Sequence, residues 1–448
     1  MRLVRGISYH TFGENDAKVY VHSVDTQKDY ILEGIALDVL NCFEKNKNVS
    51  FENLCETLSQ EYDVNNKTEF EKDIRDFVEE LLAEKILTES EQDFEDENIV
   101  SGEVTQEVEN FCAKSHKLYS LALELTYRCV EKCVHCYIDD ASKFCVDEEL
   151  SIDEWKNILR QAREMGCMKI LLTGGEVLLR KDFCEIAEYA VSLGLIVNVY
   201  TTGLGMTDEI FDHMTTIKLN SVSFSIYGGN AAEHDAITGI PGSFEKTLKA
   251  MMMFKCAGVA TFIKCVVVKQ NFDYLENVYK LAKRLRLRVS ISPQIASGHE
   301  KKCASDFRLD EEQYKKFFAL ESRYSGITPI DDRSSISIET ILKNPPCSVG
   351  QSGLSIDPFG GVHPCISFYK PFGSLKKESL KNLWDKVTEL KCLRDFKLAN
   401  ITPKCRTCDF VKFCHVCLGN LLRECGDEIK NCGDTFVMAR ARASVKGR

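Results

Sequence analysis

The sequence lacks several features that would place it in a familiar class at once. Its 448 residues contain no surplus of basic charge, because 57 Lys and Arg stand against 68 Asp and Glu and the formal net charge is −11. Nucleic acid is therefore not expected as a partner. The first residues show no apolar signal segment. The most apolar stretch, residues 250–268, is interrupted by Lys255, Gly258 and Lys264, which predicts a helix followed by a buried strand and no membrane span.

Cysteine is the residue that the sequence has in excess. Twenty-one cysteines in a chain without a visible export signal favour a reducing, cytoplasmic location, where thiols serve as metal ligands and not as disulfides. The hydrophobic share of 44% and the charged share of 28% are ordinary for globular proteins and argue against disorder or low complexity. The length predicts two to four domains.

Charge is distributed unevenly along the chain, which indicates where domains meet. Residues 1–110 carry 10 basic and 27 acidic side chains, a net charge of −17, whereas the rest of the chain has a net charge of +6. We predict an N-terminal domain over residues 1–90 and an acidic linker over residues 91–117. A second domain is predicted over residues 118–340, and a cysteine-rich third domain over residues 341–448.

The first predicted domain combines a small sheet with helices. Alternating apolar residues predict strands at 18–22 and 29–32, and helical periodicity follows at 34–44, 50–62 and 69–84. This combination is typical of a winged-helix-like domain. Such domains often bind DNA, but the excess of acidic side chains weighs against that function.

The second predicted domain alternates strands with helices. Strands are predicted at residues 121–126, 168–173, 196–201, 221–226, 261–268 and 288–292. Helices are predicted between them at residues 152–165, 181–193, 208–214, 243–255 and 273–285. Repeated strand–helix units form parallel sheets with right-handed crossovers. We therefore predict an α/β fold with a partial (β/α)6 TIM-like barrel, two units short of a closed one.

Three cysteines form a compact array directly after the first of these strands. The segment Cys129-Val-Glu-Lys-Cys133-Val-His-Cys136 has the spacing C-x3-C-x2-C. Three thiolates this close together can hold a four-iron cluster and leave one iron open to another ligand. Loops at the carboxyl ends of barrel strands also build active sites. A zinc knuckle or incidental thiols are the alternatives.

The array and its position resemble those of the radical S-adenosylmethionine (radical SAM) superfamily. The resemblance implies that Cys129, Cys133 and Cys136 hold a [4Fe–4S] cluster and form the catalytic centre. The cluster would give one electron to S-adenosylmethionine (SAM) and cleave it to a 5′-deoxyadenosyl radical, which takes a hydrogen atom from the substrate. The protein would orient the cofactor and exclude water.

Further motifs on successive strands extend the resemblance. A Thr-Gly-Gly-Glu motif follows the second strand, where the family contacts the amino group of SAM, and polar residues follow the third strand and lie in the fourth, where it contacts the ribose or carboxylate. His135 stands where the family often has an aromatic residue before the third cysteine. The residues to which the resemblance assigns SAM contacts are Tyr137, Thr173, Gly174, Gly175, Glu176, Thr202 and Ser225.

A second group of cysteines follows after residue 345 and resembles the SPASM extension, which houses two auxiliary [4Fe–4S] clusters. The resemblance implies that one cluster is held by an outer quartet and the other by an inner trio. The outer quartet is Cys405, Cys408, Cys414 and Cys432, and the inner trio is Cys347, Cys365 and Cys417. A zinc ribbon is the alternative, because paired C-x2-C units also bind structural zinc.

The inner trio leaves one ligand position unassigned. Either a further thiol such as Cys392 or Cys425 completes it, or one iron is open to a substrate cysteine. In the second case a metal-bound thiolate would be deprotonated and held where a carbon radical could meet it.

The N-terminal domain resembles the RiPP recognition element, a winged-helix-like module that binds the leader of a ribosomally made precursor peptide. The leader usually adds a strand at a sheet edge and lies beside the third helix. We expect the edge at residues 19–22 and the flanking helix at residues 74–82.

Together the resemblances imply a cytoplasmic peptide maturase that uses SAM and three [4Fe–4S] clusters, without nucleic acid or membrane as partners. It would bind a precursor peptide by its leader, take electrons from a donor such as flavodoxin or ferredoxin, and form a cysteine thioether to carbon, as sactipeptide and ranthipeptide synthases do. Two alternatives stay open. One is a carbon–carbon cross-linking or other peptide-modifying maturase, and the other is a non-catalytic iron–sulfur protein that binds peptides or transfers electrons.

Overall fold

A computed structural model gives the architecture for most of the chain. The residues it describes are 2–5, 8–11, 18–23, 28–33, 36, 38–39, 42, 49–62, 66–83, 87–89, 106–138, 145, 148–295, 306–324, 333, 336–386, 388–425 and 432–446. Within these ranges, none of the helices is both long and apolar enough to cross a membrane. Residues 250–268 divide into the end of the helix Ser243–Cys256 and the strand Thr261–Val266, as the interruptions in the apolar stretch predict.

The N-terminal domain contains two small antiparallel sheets and packed helices. One sheet has Arg2–Arg5 between Val49–Ser50 and Leu87–Glu89, and the other has Lys18–Ser23 between Ser8–Thr11 and Lys28–Glu33. Two of its helices span Phe51–Glu61 and Lys67–Ala83. The predicted helix 34–44 lies partly outside the described residues, and its positions 36, 38, 39 and 42 are helical. The winged-helix-like prediction is confirmed.

Helix formation in this domain follows from local sequence signals and a shared core. The Ser50 hydroxyl accepts a hydrogen bond from the N–H of Asn53 at 3.1 Å, which satisfies one of the free amides at the start of the first helix. Leu54 of that helix and Ile74 and Val78 of the next are almost completely buried against one another. Burying such side chains stabilises each helix by about 1.5–3 kcal/mol per residue.

The prediction of a leader-binding edge at residues 19–22 is wrong. These residues lie in Lys18–Ser23, which is the central strand of its sheet and is paired on both sides. The edges of this sheet, within the described part of the chain, are Ser8–Thr11 and Lys28–Glu33. A strand at residues 8–11 is missed because Ser-Tyr-His-Thr is short and lacks a clear alternation of apolar residues.

The barrel prediction is confirmed. Six parallel strands lie side by side in chain order: Ser120–Thr126, Lys169–Gly174, Ile196–Thr201, Ser221–Ser225, Thr261–Val266 and Arg288–Ser292. The helices around them are Ile152–Glu164, Phe183–Ser192, Asp208–Thr216, Ala231–Thr238, Ser243–Cys256, Leu275–Leu285 and Glu311–Arg323. Leu123, Ile170 and Val199 are completely buried, because parallel strands that carry helices on the outside are covered on that face.

The predicted linker 91–117 ends in the helix Gln106–Ser115, and residues 91–105 lie outside the described residues. The domain boundaries themselves stay a prediction.

The C-terminal region continues the barrel sheet. Gly353–Ile356 pairs in parallel with the first barrel strand and turns back through Gly361–His363 and Gly373–Ser374, so the sheet has nine strands. This pairing covers an edge that an incomplete barrel would leave open. The remaining helices are Ile338–Lys343, Leu380–Lys386, Thr388–Asp395, Leu418–Cys425 and Gly433–Lys446.

Candidate active site and metal centres

The cysteine loop, Cys129 to Cys136, starts where the first barrel strand ends and is braced by the Gly-Gly-Glu motif of the second. The N–H of Gly175 donates to the carbonyl of Thr126 and the N–H of Glu176 to the carbonyl of Arg128, each at 2.7 Å. A Cβ atom on Gly175 would lie 2.3 Å from that Arg128 oxygen. Glycine is therefore required, because any side chain would push the two segments apart. The motif fixes the segment from which the cysteine loop begins.

Glu176 is completely buried, and its carboxylate accepts hydrogen bonds from other residues of the protein. Its Oε1 accepts from the N–H of Leu178 at 3.0 Å and from the hydroxyl of Thr201 at 2.6 Å. Its Oε2 accepts from the N–H of Thr202 at 2.6 Å and also from the Thr202 hydroxyl. Four donors use the acceptor capacity of a carboxylate. The side chain therefore joins the second strand to the third, and Thr202 is one of its partners.

The opposite side of the cysteine loop rests on the helix Ala231–Thr238. The N–H of Lys132 donates to the carbonyl of Thr238 at 2.8 Å, and the N–H of Val134 donates to Ile237 at 3.1 Å. Asp235, on the same helix, accepts hydrogen bonds from the amides of residues 242 and 244 and from the hydroxyl of residue 243. Asp235 thus caps the N-terminus of the helix Ser243–Cys256. The cysteine loop is therefore held by hydrogen bonds on two sides before any metal binds.

The three thiols of the cysteine loop interact electrostatically with one another. Burial raises the pKa of Cys129 to about 12 and raises the pKa of Cys133 even more. Both thiols are therefore protonated at neutral pH without metal, and a metal would displace their protons. Cys136 is half-buried.

The donor set of the cysteine loop fits an iron–sulfur cluster. Three thiols that interact with one another lie within eight residues, and a four-iron cluster takes each thiolate on a different iron. In the described ranges, no three Cys, His, Asp or Glu side chains have the close arrangement that would hold one metal ion.

A buried carboxyl inside the barrel holds Tyr137, the residue after the third cysteine. Glu124 of the first strand is 3% exposed and accepts hydrogen bonds from the hydroxyls of Tyr137 and, at 3.3 Å, Tyr127. Burial raises the pKa of Glu124 to about 7. Sequence reasoning missed Glu124, although a lone acid at a core-facing position of a predicted strand is a usable signal.

Two more predicted SAM-contact residues, Thr173 and Ser225, lie at the carboxyl ends of their strands. Ser225 pairs in register with Lys264 of the next strand, and the Lys264 ammonium lies 5.0 Å from the centre of the Tyr200 ring. Among the described side chains, no carboxylate lies within ion-pair distance of Lys264. Sequence reasoning missed Lys264, which it treated only as an interruption of an apolar run.

The inner trio comes together from three distant parts of the chain. Cys365 interacts electrostatically with Cys347 and Cys417, and Cys347 also interacts with Cys417. Burial raises the pKa of Cys365 to about 12. Cys392 is exposed, and no described interaction joins it to the inner trio. The side chain of Cys425 lies outside the described residues.

The outer quartet forms a second and separate group. Cys414 interacts electrostatically with Cys405, Cys408 and Cys432, and Cys432 interacts with the same pair. Burial raises the pKa of Cys414 to about 12, so this thiol too requires a metal to become a thiolate at neutral pH.

Comparison with known families gives these sites their class. The model of the radical SAM superfamily matches residues 123–282, and that of an iron–sulfur cluster-binding domain, SPASM, matches residues 347–409. The model of coenzyme PQQ synthesis protein D (PqqD) matches residues 21–87. The chain is a radical SAM protein with an N-terminal PqqD-type domain and a C-terminal SPASM domain, and these domains indicate SAM and iron–sulfur clusters as its cofactors.

Individual proteins with similar sequences act on different substrates. The chain is similar to an AdoMet-dependent heme synthase of Methanosarcina barkeri, with 26% identity over 339 residues that cover 69% of this chain and 94% of the relative. It is also similar to the PqqA peptide cyclase of Rhizobium meliloti, with 26% identity over 303 residues that cover 65% of this chain and 79% of the relative.

Among solved structures, Streptococcus suis SuiB bound to precursor peptide SuiA superimposes with a TM-score of 0.62 at 16% identity, over 94% of this chain and 97% of that one. This likeness shows that the two chains share a fold.

Proposed function

We propose that this protein matures a ribosomally made peptide by forming a thioether between a peptide cysteine and a carbon atom. The observation that carries the proposal is the inner trio. Three half-buried cysteines interact with one another there, and Cys392, one of the two thiols that could complete the set, is exposed. A four-iron cluster on three protein thiolates has one open iron. That position suits the thiolate of a substrate cysteine, which metal binding would deprotonate and hold in place.

The barrel end is proposed as the place where the peptide carbon is activated. A cluster on Cys129, Cys133 and Cys136 would supply, with SAM, the 5′-deoxyadenosyl radical that abstracts hydrogen. The chain's own residues position the reactants: Glu176 holds the third-strand loop, and Glu124 fixes the Tyr137 ring. Thr173, Gly174 and Ser225 would contact SAM at the strand ends. A four-iron cluster on the outer quartet would bring the total to three, and an external donor such as flavodoxin or ferredoxin would supply electrons.

The N-terminal domain is proposed to bind the leader of the precursor. It is matched by the PqqD model, and one similar protein is named for the PqqA peptide. In the sheet that contains Lys18–Ser23, the described edges at which a strand could be added are Ser8–Thr11 and Lys28–Glu33. We favour Lys28–Glu33, because it lies within the part of the chain that the PqqD model matches, whereas Ser8–Thr11 lies outside it. Main-chain hydrogen bonds to such an edge provide affinity without a demanding sequence.

A second candidate function is carbon–carbon cross-linking. It is favoured by the similarity to a peptide cyclase, and it requires the same cofactors but no thiolate on the inner site. Both reactions remove two hydrogens from the peptide, so intact mass alone does not separate them. Alkylation does, because a thioether uses up a cysteine thiol, whereas a carbon–carbon bond leaves it available.

The first experiment tests the chemistry of the cofactors. Anaerobically reconstituted protein should contain about twelve irons per chain, the sum for three four-iron clusters, and should release 5′-deoxyadenosine after reduction in the presence of SAM. The second experiment coexpresses the protein with short peptides encoded beside its gene and compares mass before and after iodoacetamide. A peptide two hydrogens lighter that has lost one alkylation site supports the thioether. Loaded protein that never cleaves SAM would instead support a binding or electron-transfer role.

A further inference from the structure

Glu149 places a carboxylate at the point where the first barrel strand becomes the cysteine loop. It lies just before the helix Ile152–Glu164, and its side chain is 6% exposed. Its Oε1 accepts hydrogen bonds from the hydroxyl of Thr126 at 2.5 Å and from the N–H of Tyr127 at 3.3 Å. Thr126 is the last residue of the strand, so Glu149 contacts the segment that leads into Cys129.

The hydroxyl of Thr126 links this carboxylate to the residue before Cys129. It donates to Glu149, and its oxygen accepts from the backbone N–H of Arg128 at 3.1 Å and from the Nε–H of Arg128 at 3.2 Å. A hydroxyl has one proton and two lone pairs, and a carboxylate only accepts. Because Glu149 takes the one proton, both lone pairs of the Thr126 oxygen are free to accept from Arg128. The carboxylate thus sets the direction of the hydroxyl.

The backbone of Arg128 is held on both sides by this arrangement. Its N–H donates to the Thr126 hydroxyl, and its carbonyl accepts from the N–H of Glu176 at 2.7 Å. A change in the backbone angles of Arg128 would break one of these two hydrogen bonds. Cys129 is the next residue, so the direction in which the cysteine loop leaves the strand depends on both bonds.

The segment that carries Glu149 is itself fixed. The N–H of Leu150 donates to the carbonyl of Pro358 at 2.7 Å, and the carbonyl of Leu150 accepts from the guanidinium of Arg180 at 2.7 Å. The same guanidinium donates to the carbonyl of Leu125 in the first barrel strand at 3.0 Å. Support of this kind keeps the Glu149 oxygen within hydrogen-bond distance of the strand end.

The acceptor oxygen of Glu149 contributes more to this arrangement than its charge does. Oε1 accepts a short hydrogen bond, whereas Nη2 of Arg128 and Nη1 of Arg180 lie 3.7 and 3.8 Å from Oε2. The two arginine contacts are ion pairs beyond hydrogen-bond distance. Glutamine, which keeps an acceptor oxygen in the same place without the charge, would therefore still orient the Thr126 hydroxyl.

We propose that Glu149 is a positioning residue for the cysteine loop, which fixes the backbone before Cys129 by accepting the proton of the Thr126 hydroxyl. The fixed backbone holds the loop in the conformation that receives the iron–sulfur cluster. The inference rests on the proposed function in one respect, because it assumes that the cysteine loop holds a cluster. Removing a group that supports metal ligands typically lowers metal affinity by about 10–100-fold.

The first test measures the backbone and needs no metal. Hydrogen–deuterium exchange of the Arg128 amide is followed in full-length, metal-free protein. Thr126→Val removes the acceptor and should speed this exchange by about tenfold, the factor for one lost hydrogen bond, whereas Thr126→Ser should stay near the parent. Glu149→Met lacks the carboxylate oxygen and should give a rate between those of the parent and Thr126→Val, and Glu149→Gln should stay near the parent. Adding Glu149→Met to Thr126→Val should cause no further change, because both act on the same bond.

The second test measures how firmly the loop holds its cluster. Reconstituted full-length protein is challenged with an iron chelator, and the iron of the cysteine loop is the part that is missing when Cys129, Cys133 and Cys136 are changed to alanine. Glu149→Met should lose this part at least about tenfold faster than the parent, and Glu149→Gln should lose it at nearly the parent rate. Auxiliary iron should be retained equally in all variants. Glu148→Met is the matched control, because Glu148 is the neighbouring residue and is exposed, and it should match the parent in both tests.

The outcomes separate this inference from the proposed function. The inference is overturned if Glu149→Met exchanges and releases iron as the parent does, or if Glu149→Gln behaves as Glu149→Met, which would assign the effect to charge. It is also overturned if exchange becomes faster while iron release stays unchanged, because the loop would then hold its cluster without a fixed backbone. If Glu149→Met does not fold, Thr126→Val decides by the same two measurements, and parent-like values overturn the inference. The proposed function fails separately if the alanine variant of the cysteine loop takes up as much iron as the parent, whatever the Glu149 variants do.

Discussion

The most informative single substitution is Glu176→Gln, because it separates a structural role of the carboxylate from direct contact with SAM. The carboxylate accepts four hydrogen bonds from Leu178, Thr201 and Thr202 and is completely buried. Glutamine has almost the same shape but replaces one acceptor oxygen with an NH2 donor. We expect the substitution to destabilise the strand ends around the site before it affects any ligand.

The magnitude follows from which donors lose their acceptor. The remaining oxygen can still serve Leu178 and Thr201, and the Thr202 hydroxyl can rotate to accept from the new NH2 group. The N–H of Thr202, now 2.6 Å from oxygen, would face a donor instead. A lost hydrogen bond to a charged group costs about 1.5–3 kcal/mol, and a buried unsatisfied donor costs about 1–3 kcal/mol. We therefore expect a total loss of about 3–5 kcal/mol in the free energy of unfolding.

The assay compares urea unfolding of the metal-free protein with SAM affinity of the loaded protein. Glu164→Gln is the matched control, because Glu164 is exposed at the end of the helix Ile152–Glu164, and its change should stay within about 0.5 kcal/mol. We expect Glu176→Gln to unfold at a clearly lower urea concentration. Unchanged unfolding with greatly weakened SAM binding would refute the reasoning, since the carboxylate would then contact the cofactor and not the third strand.

Four further predictions concern the other parts of the site. Replacing the three cysteines of the cysteine loop with alanine should abolish 5′-deoxyadenosine release while auxiliary iron remains, and persisting release would contradict the site assignment. Lys264→Met should weaken SAM binding by about tenfold if the ammonium meets the carboxylate of SAM, and unchanged affinity by calorimetry would exclude that contact. Deleting residues 1–90 should weaken precursor binding but leave precursor-independent SAM cleavage intact, and equal peptide affinity would count against leader binding. The pKa of Glu124 is about 7 in the folded protein against a usual 4.5, so between these pH values the folded protein holds a proton that the unfolded chain releases, and the free energy of unfolding should fall as pH rises from about 4.5 through 7. Glu124→Gln should remove up to about 3 kcal/mol of that fall. If the urea midpoint of the variant changes between pH 5 and pH 8 by the same amount as that of the parent, the prediction is contradicted.

Much of the barrel was predictable because its signals are local. A window of about a dozen residues is enough to recognise an apolar strand such as residues 168–173 or an amphipathic helix such as Ile152–Glu164. The continuation of the sheet by Gly353–Ile356 was not predicted. That strand pairs with the first barrel strand across more than two hundred residues, and no local pattern encodes such a partner.

The wrong edge strand has the same kind of cause. Residues 18–22 have the alternation of a strand, but alternation does not say whether a strand is central or at an edge. Lys18–Ser23 is a central strand because Ser8–Thr11 pairs with its second side. Ser8–Thr11 is short and becomes a strand only through this pairing. Tertiary pairing can override weak local preference in this way.

By itself the sequence determined the chemistry available to this protein. Three thiols within eight residues meet in one short loop whatever the rest of the chain does, and so their spacing indicates a cluster before any fold is known. Only the tertiary structure decided which groups surround that chemistry. The four hydrogen bonds that saturate Glu176 and the burial of Glu124 both depend on contacts between residues far apart in the chain. Hydrogen bonds and charges act over a few ångströms in space, and distance along the sequence does not reveal which residues folding will bring that close.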